Sequence, residues 1–256
     1  METQLEYGNW IRKKILLILG LCTLGAGLLL LIPFGALYRG LVAVLFIILL
    51  ISFLIPLYSY WLFSQKGGRF QEKLYNLIIQ HLEPEMGAKI LDIGSGNGVL
   101  AVKLAQRYPR LDVVGMDYWG QDWEYSKGVC EKNARTAGVE GRVHFQKGDA
   151  AALEFASASF DGAISNLTFH EVRSVADKRE VLLEALRVVK PGGTFSFIDY
   201  FYDKKYYGEN AQFETYLKGL GLSQVDCQPL KRLMPLPVFL LHPKILGKVG
   251  LIYGKK

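Results

Sequence analysis

The chain has 256 residues, room for one large domain or two small ones, and half of them are hydrophobic. Its 30 basic and 24 acidic side chains leave a net charge of +6, which suits anionic lipid first, nucleic acid less well, or no particular partner. The three cysteines, Cys22, Cys130 and Cys227, lack the paired spacing of a disulfide framework, and His170-Glu171 is followed by Ser174 where a zinc protease needs its second histidine, so neither disulfides nor a metal are expected.

The N-terminal quarter stands apart. No charge occurs over residues 15–32, and after a break at 33–40 that holds Arg39 a second uncharged run covers 41–64. Each run can cross roughly 30 Å of hydrocarbon as a helix. No small-x-small cleavage site ends the first run, Leu21 before Cys22 does not fit a lipoprotein site, and the second run follows directly. A transmembrane hairpin over residues 1–64 is expected, with spans at about 15–32 and 41–63; a re-entrant or interfacial hairpin is the alternative. Arg12, Lys13 and Lys14 precede the first run, while Lys66, Arg69 and Lys73 follow the second. That bias puts both termini and the polar part in the cytoplasm, with the lipid bilayer as a partner. Lys66-Gly67-Gly68-Arg69 reads as a joint. Within the connecting residues 65–88, a helix over 71–82 presents Leu74, Leu77, Ile78 and Leu82 on one face, as a lid or docking helix, and ends at Glu83-Pro84.

Short apolar runs then alternate with amphipathic ones. Strands are expected at 89–93, 112–116, 142–146, 160–166 and 194–200. Helices are expected at 99–108, about 124–137 and 178–189, with Pro191-Gly192-Gly193 as a turn. A helix near 212–220 and strands near 223–228 and 248–253 complete the tail, their pairing left open. The expected fold is α/β: a doubly wound, seven-stranded Rossmann-like sheet over 89–256, preceded by the two-helix hairpin.

Between the first strand and its helix lies Leu91-Asp92-Ile93-Gly94-Ser95-Gly96-Asn97-Gly98. A glycine-rich loop at a helix N-terminus brings backbone N–H groups close to a ligand. A Walker loop needs Gly-Lys-Ser/Thr, and here Gly98 is followed by Val99-Leu100; a dinucleotide fingerprint needs a small residue where Val99 stands.

Asp92-Ile93-Gly94-Ser95-Gly96-Asn97-Gly98 resembles the first motif of class I S-adenosylmethionine-dependent methyltransferases. Three further segments match in order: Gly115-Met116-Asp117, Gly148-Asp149-Ala150 and Lys190-Pro191-Gly192-Gly193. The resemblance, to a membrane-anchored, bacterial-type member, covers residues 71–256 and implies S-adenosyl-L-methionine as cofactor. It implies that Asp117 bonds both ribose hydroxyls and that Asp149 and Ala150 read the adenine edge. Asp92 and the loop of Gly94, Ser95, Gly96 and Gly98 then face the methionine end. A carboxylate is a natural acceptor for two vicinal hydroxyls. The alternative for Asp149 is a turn residue. Tyr118 or Trp119 could cover adenine, although packing explains Trp119 and Trp123 as well.

Ser165-Asn166-Leu167-Thr168-Phe169-His170-Glu171 follows the fourth strand, where the family places groups near the methyl. His170 is the candidate catalytic residue, as a base for a protonated acceptor or as a residue that packs and orients the loop. Asn166 is expected to hold cofactor or backbone. Asp199 and Tyr200 are candidates for acceptor binding, or solvent-facing turn residues. Nucleobase amino-methyltransferases carry a Pro-Pro-aromatic segment here and Leu167-Thr168 does not, which speaks against nucleic acid. The expected function is methyl transfer to a small, lipophilic acceptor at the cytoplasmic membrane face. The alternatives are a cofactor-binding module without turnover and a nucleic-acid methyltransferase. The apolar residues 233–241 could line an acceptor channel, rest on headgroups or pack over the sheet.

Overall fold

A computed structural model describes residues 5–120, 125–243 and 245–256. It divides into two units: Tyr7–Lys73, and Leu74–Lys256 grouped with the N-terminal residues through Glu6.

The first unit is a helical hairpin of α1 (Lys13–Leu29) and α2 (Ala36–Phe63). Two glycines seven apart on α1 admit two phenylalanines seven apart on α2. A Cβ on Gly20 would lie 3.3 Å from Phe53, and one on Gly27 would lie 3.3 Å from Phe46. Hydroxyls inside the apolar helices bond back to their own backbone, Thr23 Oγ1 to Leu19 O and Ser59 Oγ to Ile55 O, each at 2.8 Å. Among the described residues α2 is the one helix long and apolar enough to cross a membrane. α1 has 17 residues, about 26 Å at 1.5 Å per residue. It stops three residues before the end of the first uncharged run because Leu30, Leu31 and Ile32 donate to carbonyls three residues back, tightening the chain into the turn. The second helix starts five residues earlier than expected and takes in Arg39.

The second unit holds α3 (Phe70–Gln80), most of which belongs to it, and one seven-stranded sheet. Leu74, Ile78 and Leu82 are fully buried, as the amphipathic spacing requires. The strands are β1 (Lys89–Ile93), β2 (Asp112–Asp117), β3 (Val143–Lys147), β4 (Phe160–Asn166), β5 (Val189–Asp199), β6 (Gln224–Pro229) and β7 (Gly250–Lys255). Their order is β3-β2-β1-β4-β5-β7-β6. The first five are parallel. β7 enters antiparallel between β5 and β6, so the sheet is mixed. Central β1 and β4 are buried along nearly their whole length, while edge β6 is half exposed.

α4 (Val99–Arg107), α5 (Lys127–Thr136) and α6 (Lys178–Val188) cross between the parallel strands. α5 begins at Lys127 rather than 124 because the Ser126 side chain caps it, accepting from Val129 N at 3.3 Å. The Pro-Gly-Gly turn lies inside β5, where pairing jumps from Phe160↔Val189 to Gly162↔Thr194 and the intervening residues loop out. Short helices α7 (Lys204–Tyr207), α8 (Asn210–Lys218) and α9 (Leu230–Leu233) follow β5 and β6.

Candidate active site

The strand order reverses between β1 and β4, and the glycine loop sits at their carboxyl ends. Gly94 and Ser95 donate their N–H groups to Met116 O at 2.8 and 3.0 Å, which turns the chain back over β2. Gly94 has φ +77° and Gly98 has φ +73°, left-handed values disfavoured for other residues. Contact adds a second reason for glycine. A Cβ on Gly94 would lie 2.0 Å from Thr168 Oγ1, and one on Gly98 would lie 2.6 Å from Phe145 Cζ.

Asp92 is 1% exposed, and neither of its carboxylate oxygens has a hydrogen-bond partner among the described residues. Burial, with the Asp117 charge as a smaller contribution, pushes its pKa up to about 7. A ligand ammonium would supply both the missing charge and the missing donors. Ser95 Oγ donates to the Asp92 carbonyl at 3.1 Å.

Asp117 ends β2. Its Oδ2 accepts from Gly96 N at 2.8 Å and its Oδ1 from Trp119 N at 2.9 Å. Each oxygen has a second lone pair, so the acid fixes the loop and can still accept from two hydroxyls. Burial raises its pKa as well. Trp119, at φ +42°, donates Nε1–H to Gly96 O at 2.9 Å, and Cys130 Sγ reaches the same carbonyl at 3.2 Å. Tyr118 is 65% exposed, so Trp119 is the aromatic tied to the loop. Trp123 lies outside the described residues. Beyond β3, Asp149 Oδ1 accepts from Ala151 N at 2.9 Å, so this acid does make its own turn, and Ala150 is buried beside it.

The segment after β4 is folded over the loop. Ser165 Oγ donates to Ile93 O at 2.8 Å, Asn166 Oδ1 is buried without a partner among the described residues, and Leu167 adopts φ +54°, an uncommon conformation for a branched side chain. His170 then sits in a 3-10 turn, Phe169–Glu171. Its Nδ1 lies 3.0 and 3.2 Å from the two Asp199 oxygens, its backbone N–H donates to Asp199 Oδ2 at 3.3 Å, and its Nε2 is 3.4 Å from Glu171 Oε1. Asp199 is fully buried at the end of β5 and also accepts from Tyr200 N at 2.6 Å.

Burial alone would lower the His170 pKa. The charge and hydrogen bond of Asp199, followed by those of Glu171, override it and push the imidazole up to about 9. The ring is therefore protonated at neutral pH and donates from both nitrogens. The rings of Tyr200 and Tyr206 stand 4.6 and 5.9 Å from it. Tyr200 OH donates to Ile245 O, and burial pushes that phenol up to about 12. Thus Asp199 and Tyr200 are drawn into one cluster with His170.

The sequence did not reveal Glu171 and Tyr206 as members of this cluster, nor Asn133 beneath the loop. Asn133 Nδ2 donates to Asn97 O at 2.8 Å. Its one sequence signal is an amide in helical register with Cys130 and Ala134, both of which are buried.

A family model described as "Methyltransferase domain" matches residues 84–226. An O-methyltransferase of Aspergillus nomiae is 31% identical over 132 residues, covering 52% of this chain and 55% of that protein. A demethylmenaquinone methyltransferase of Thermus thermophilus is 33% identical over 112 residues, 44% of this chain and 47% of that protein. The matched segments thus span about half the length of these curated relatives. The crystal structure of a geranyl diphosphate C-methyltransferase from Streptomyces coelicolor, holding S-adenosyl-L-homocysteine, shares the fold at a TM-score of 0.52 and 16% identity, covering 73% of this chain and 80% of that one.

Proposed function

Because the chain belongs to the methyltransferase-domain family, with S-adenosylmethionine as its cofactor, we propose that it methylates the oxygen of a lipophilic acceptor at the cytoplasmic face of a membrane. The cofactor supplies a methyl group already activated on a sulfonium. Asp92 answers its ammonium, Asp117 its ribose hydroxyls, and Asp149 with Ala150 its adenine edge. Asn166 and the loop of Gly94, Ser95, Gly96 and Gly98 lie alongside.

The observation that carries the acceptor class is the His170–Asp199 pair, with Glu171 on the other ring nitrogen. An imidazole held protonated is a poor base and a strong donor to an oxyanion. The acceptor is therefore a phenol or enol, whose hydroxyl ionises readily and gives its proton to solvent before the methyl leaves sulfur for the oxygen. Nε2–H, which faces Glu171 at 3.4 Å, turns to the acceptor oxygen when it binds, so His170 keeps its proton and orients the oxygen lone pair while Tyr200 and Tyr206 exclude water. Support for a lipophilic acceptor comes from the exposed apolar side chains of α1 and α2, which we take as two spans flanked by cytoplasmic cations. The half-apolar segment after α9 adds to it, since Ile245 is bonded to Tyr200 and Val238 is exposed. The Thermus relative is named for demethylmenaquinone.

The test is to offer labelled S-adenosylmethionine to the full-length protein in detergent with 4-octylphenol, 4-octylaniline or 1-decanol. Methyl transfer to the phenol, lost in His170→Asn while S-adenosylhomocysteine still binds, is expected. Preferential methylation of the aniline or the alcohol contradicts the proposal.

A further inference from the structure

Asn133 does more than hold the loop. It is 1% exposed, and besides donating to Asn97 O it accepts from Glu6 N at 2.8 Å and donates to Glu6 O at 3.0 Å. One amide therefore grips the backbone of an N-terminal residue on both sides and the glycine loop on a third. Lys132 adds an ion pair to the Glu6 carboxylate. That pair is exposed and contributes little, so the contact is carried by backbone. The sequence distance is large, 127 residues, and a lone strand of chain is held in place only by such bonds. Glu6 groups with the catalytic unit, although residues 7–73 that follow it form the other unit.

We propose that the segment at Glu6 is a working part of the cofactor site, coupled to the glycine loop through Asn133 as a positioning residue. Gly98 follows Asn97 directly, so the Asn97 carbonyl belongs to the peptide whose N–H closes the loop onto Ser95 O at 2.7 Å. With Glu6 seated, the Asn133 side chain is fixed by two backbone bonds and its third bond sets that peptide. With Glu6 released, the buried amide loses two partners and is free to turn away from Asn97. Cofactor binding and seating of the segment then favour one another, and the coupling is reciprocal. Six residues, 7–12, join this strap to α1, so the hairpin is inserted in a chain that returns to the cofactor loop.

The inference rests on the glycine loop as the cofactor site, and binding of S-adenosylhomocysteine to the unaltered protein tests that part separately. Two variants in the full-length protein isolate the strap. Glu6→Pro removes the N–H that Asn133 accepts, whereas Glu6→Ala leaves the backbone and removes only the exposed ion pair. Calorimetry should give an S-adenosylhomocysteine dissociation constant raised about 3- to 10-fold in Glu6→Pro, the scale of one lost hydrogen bond. Glu6→Ala should match the unaltered protein. Hydrogen exchange on the unaltered protein provides a readout that survives a misfolded variant: amide exchange at Glu6 should slow when S-adenosylhomocysteine is added. Equal affinity in the unaltered and Glu6→Pro proteins, or exchange at Glu6 indifferent to the ligand, overturns the coupling.

Discussion

Asp92 and His170 are opposite solutions to burial. Asp92 has a folded pKa near 7 against an ordinary 3.8, so it stabilises the fold fully only below pH 3.8, and that contribution is lost as pH rises through 7. At pH 8 the unliganded protein therefore holds an unpaired charge where ligand recognition needs one. Asp92→Asn should raise the melting temperature of the unliganded protein at pH 8 by a few degrees, roughly 2–4 °C for each kcal/mol recovered, while S-adenosylhomocysteine affinity collapses. A melting temperature unchanged at pH 8 would show that the acid finds a partner in solution. His170 is raised from 6.5 to about 9, so its pairing with Asp199 stabilises fully below pH 6.5 and is lost as pH rises through 9. The acids of the candidate cofactor site were legible because each lies at or just beyond the end of a strand within a short local pattern. The pairing of His170 with Asp199 was not, since 29 residues separate them and only the sheet brings β4 and β5 together.

At the scale of elements, β1 and β4 fall on the residues that their apolar runs mark, because central parallel strands are buried on both faces and read as continuous hydrophobic stretches. The pairing of the tail strands could not be read that way. Periodicity marks a strand and says nothing of its neighbour, and β7 inserts between β5 and the earlier β6. The glycine loop is likewise more than a motif, since its fit depends on Thr168 from the segment after β4. Gly94→Ala would place a methyl 2.0 Å from Thr168 Oγ1 at a left-handed backbone position. The loop and the segment after β4 should separate, with S-adenosylhomocysteine binding lost and hydrogen exchange accelerated over residues 166–171. Pairing Gly94→Ala with Thr168→Gly relieves the contact but keeps the backbone strain, so partial recovery of binding is expected. Full binding in Gly94→Ala alone would contradict this packing.

Across the whole molecule, two compact units share one chain. The apolar unit exposes most of its large side chains, from Leu17 and Leu21 to Ile51 and Trp61, a surface suited to hydrocarbon. If both helices cross, the turn between them faces outward. A cysteine at Ala36 should then react with an impermeant thiol reagent added outside cells, and one at Gln65 should not, in a background where Cys22, Cys130 and Cys227 are replaced. Labelling of both sites from outside would defeat the two-span topology.

The most direct test of the acceptor class uses the full-length protein in lipid nanodiscs with methyl-labelled S-adenosylmethionine. One arm offers a membrane lipid extract and the other the cytosolic small-molecule pool. Label should appear in the lipid extract, on oxygen, and fall with His170→Asn. Label confined to the cytosolic pool, with the extract untouched, would contradict a lipophilic acceptor.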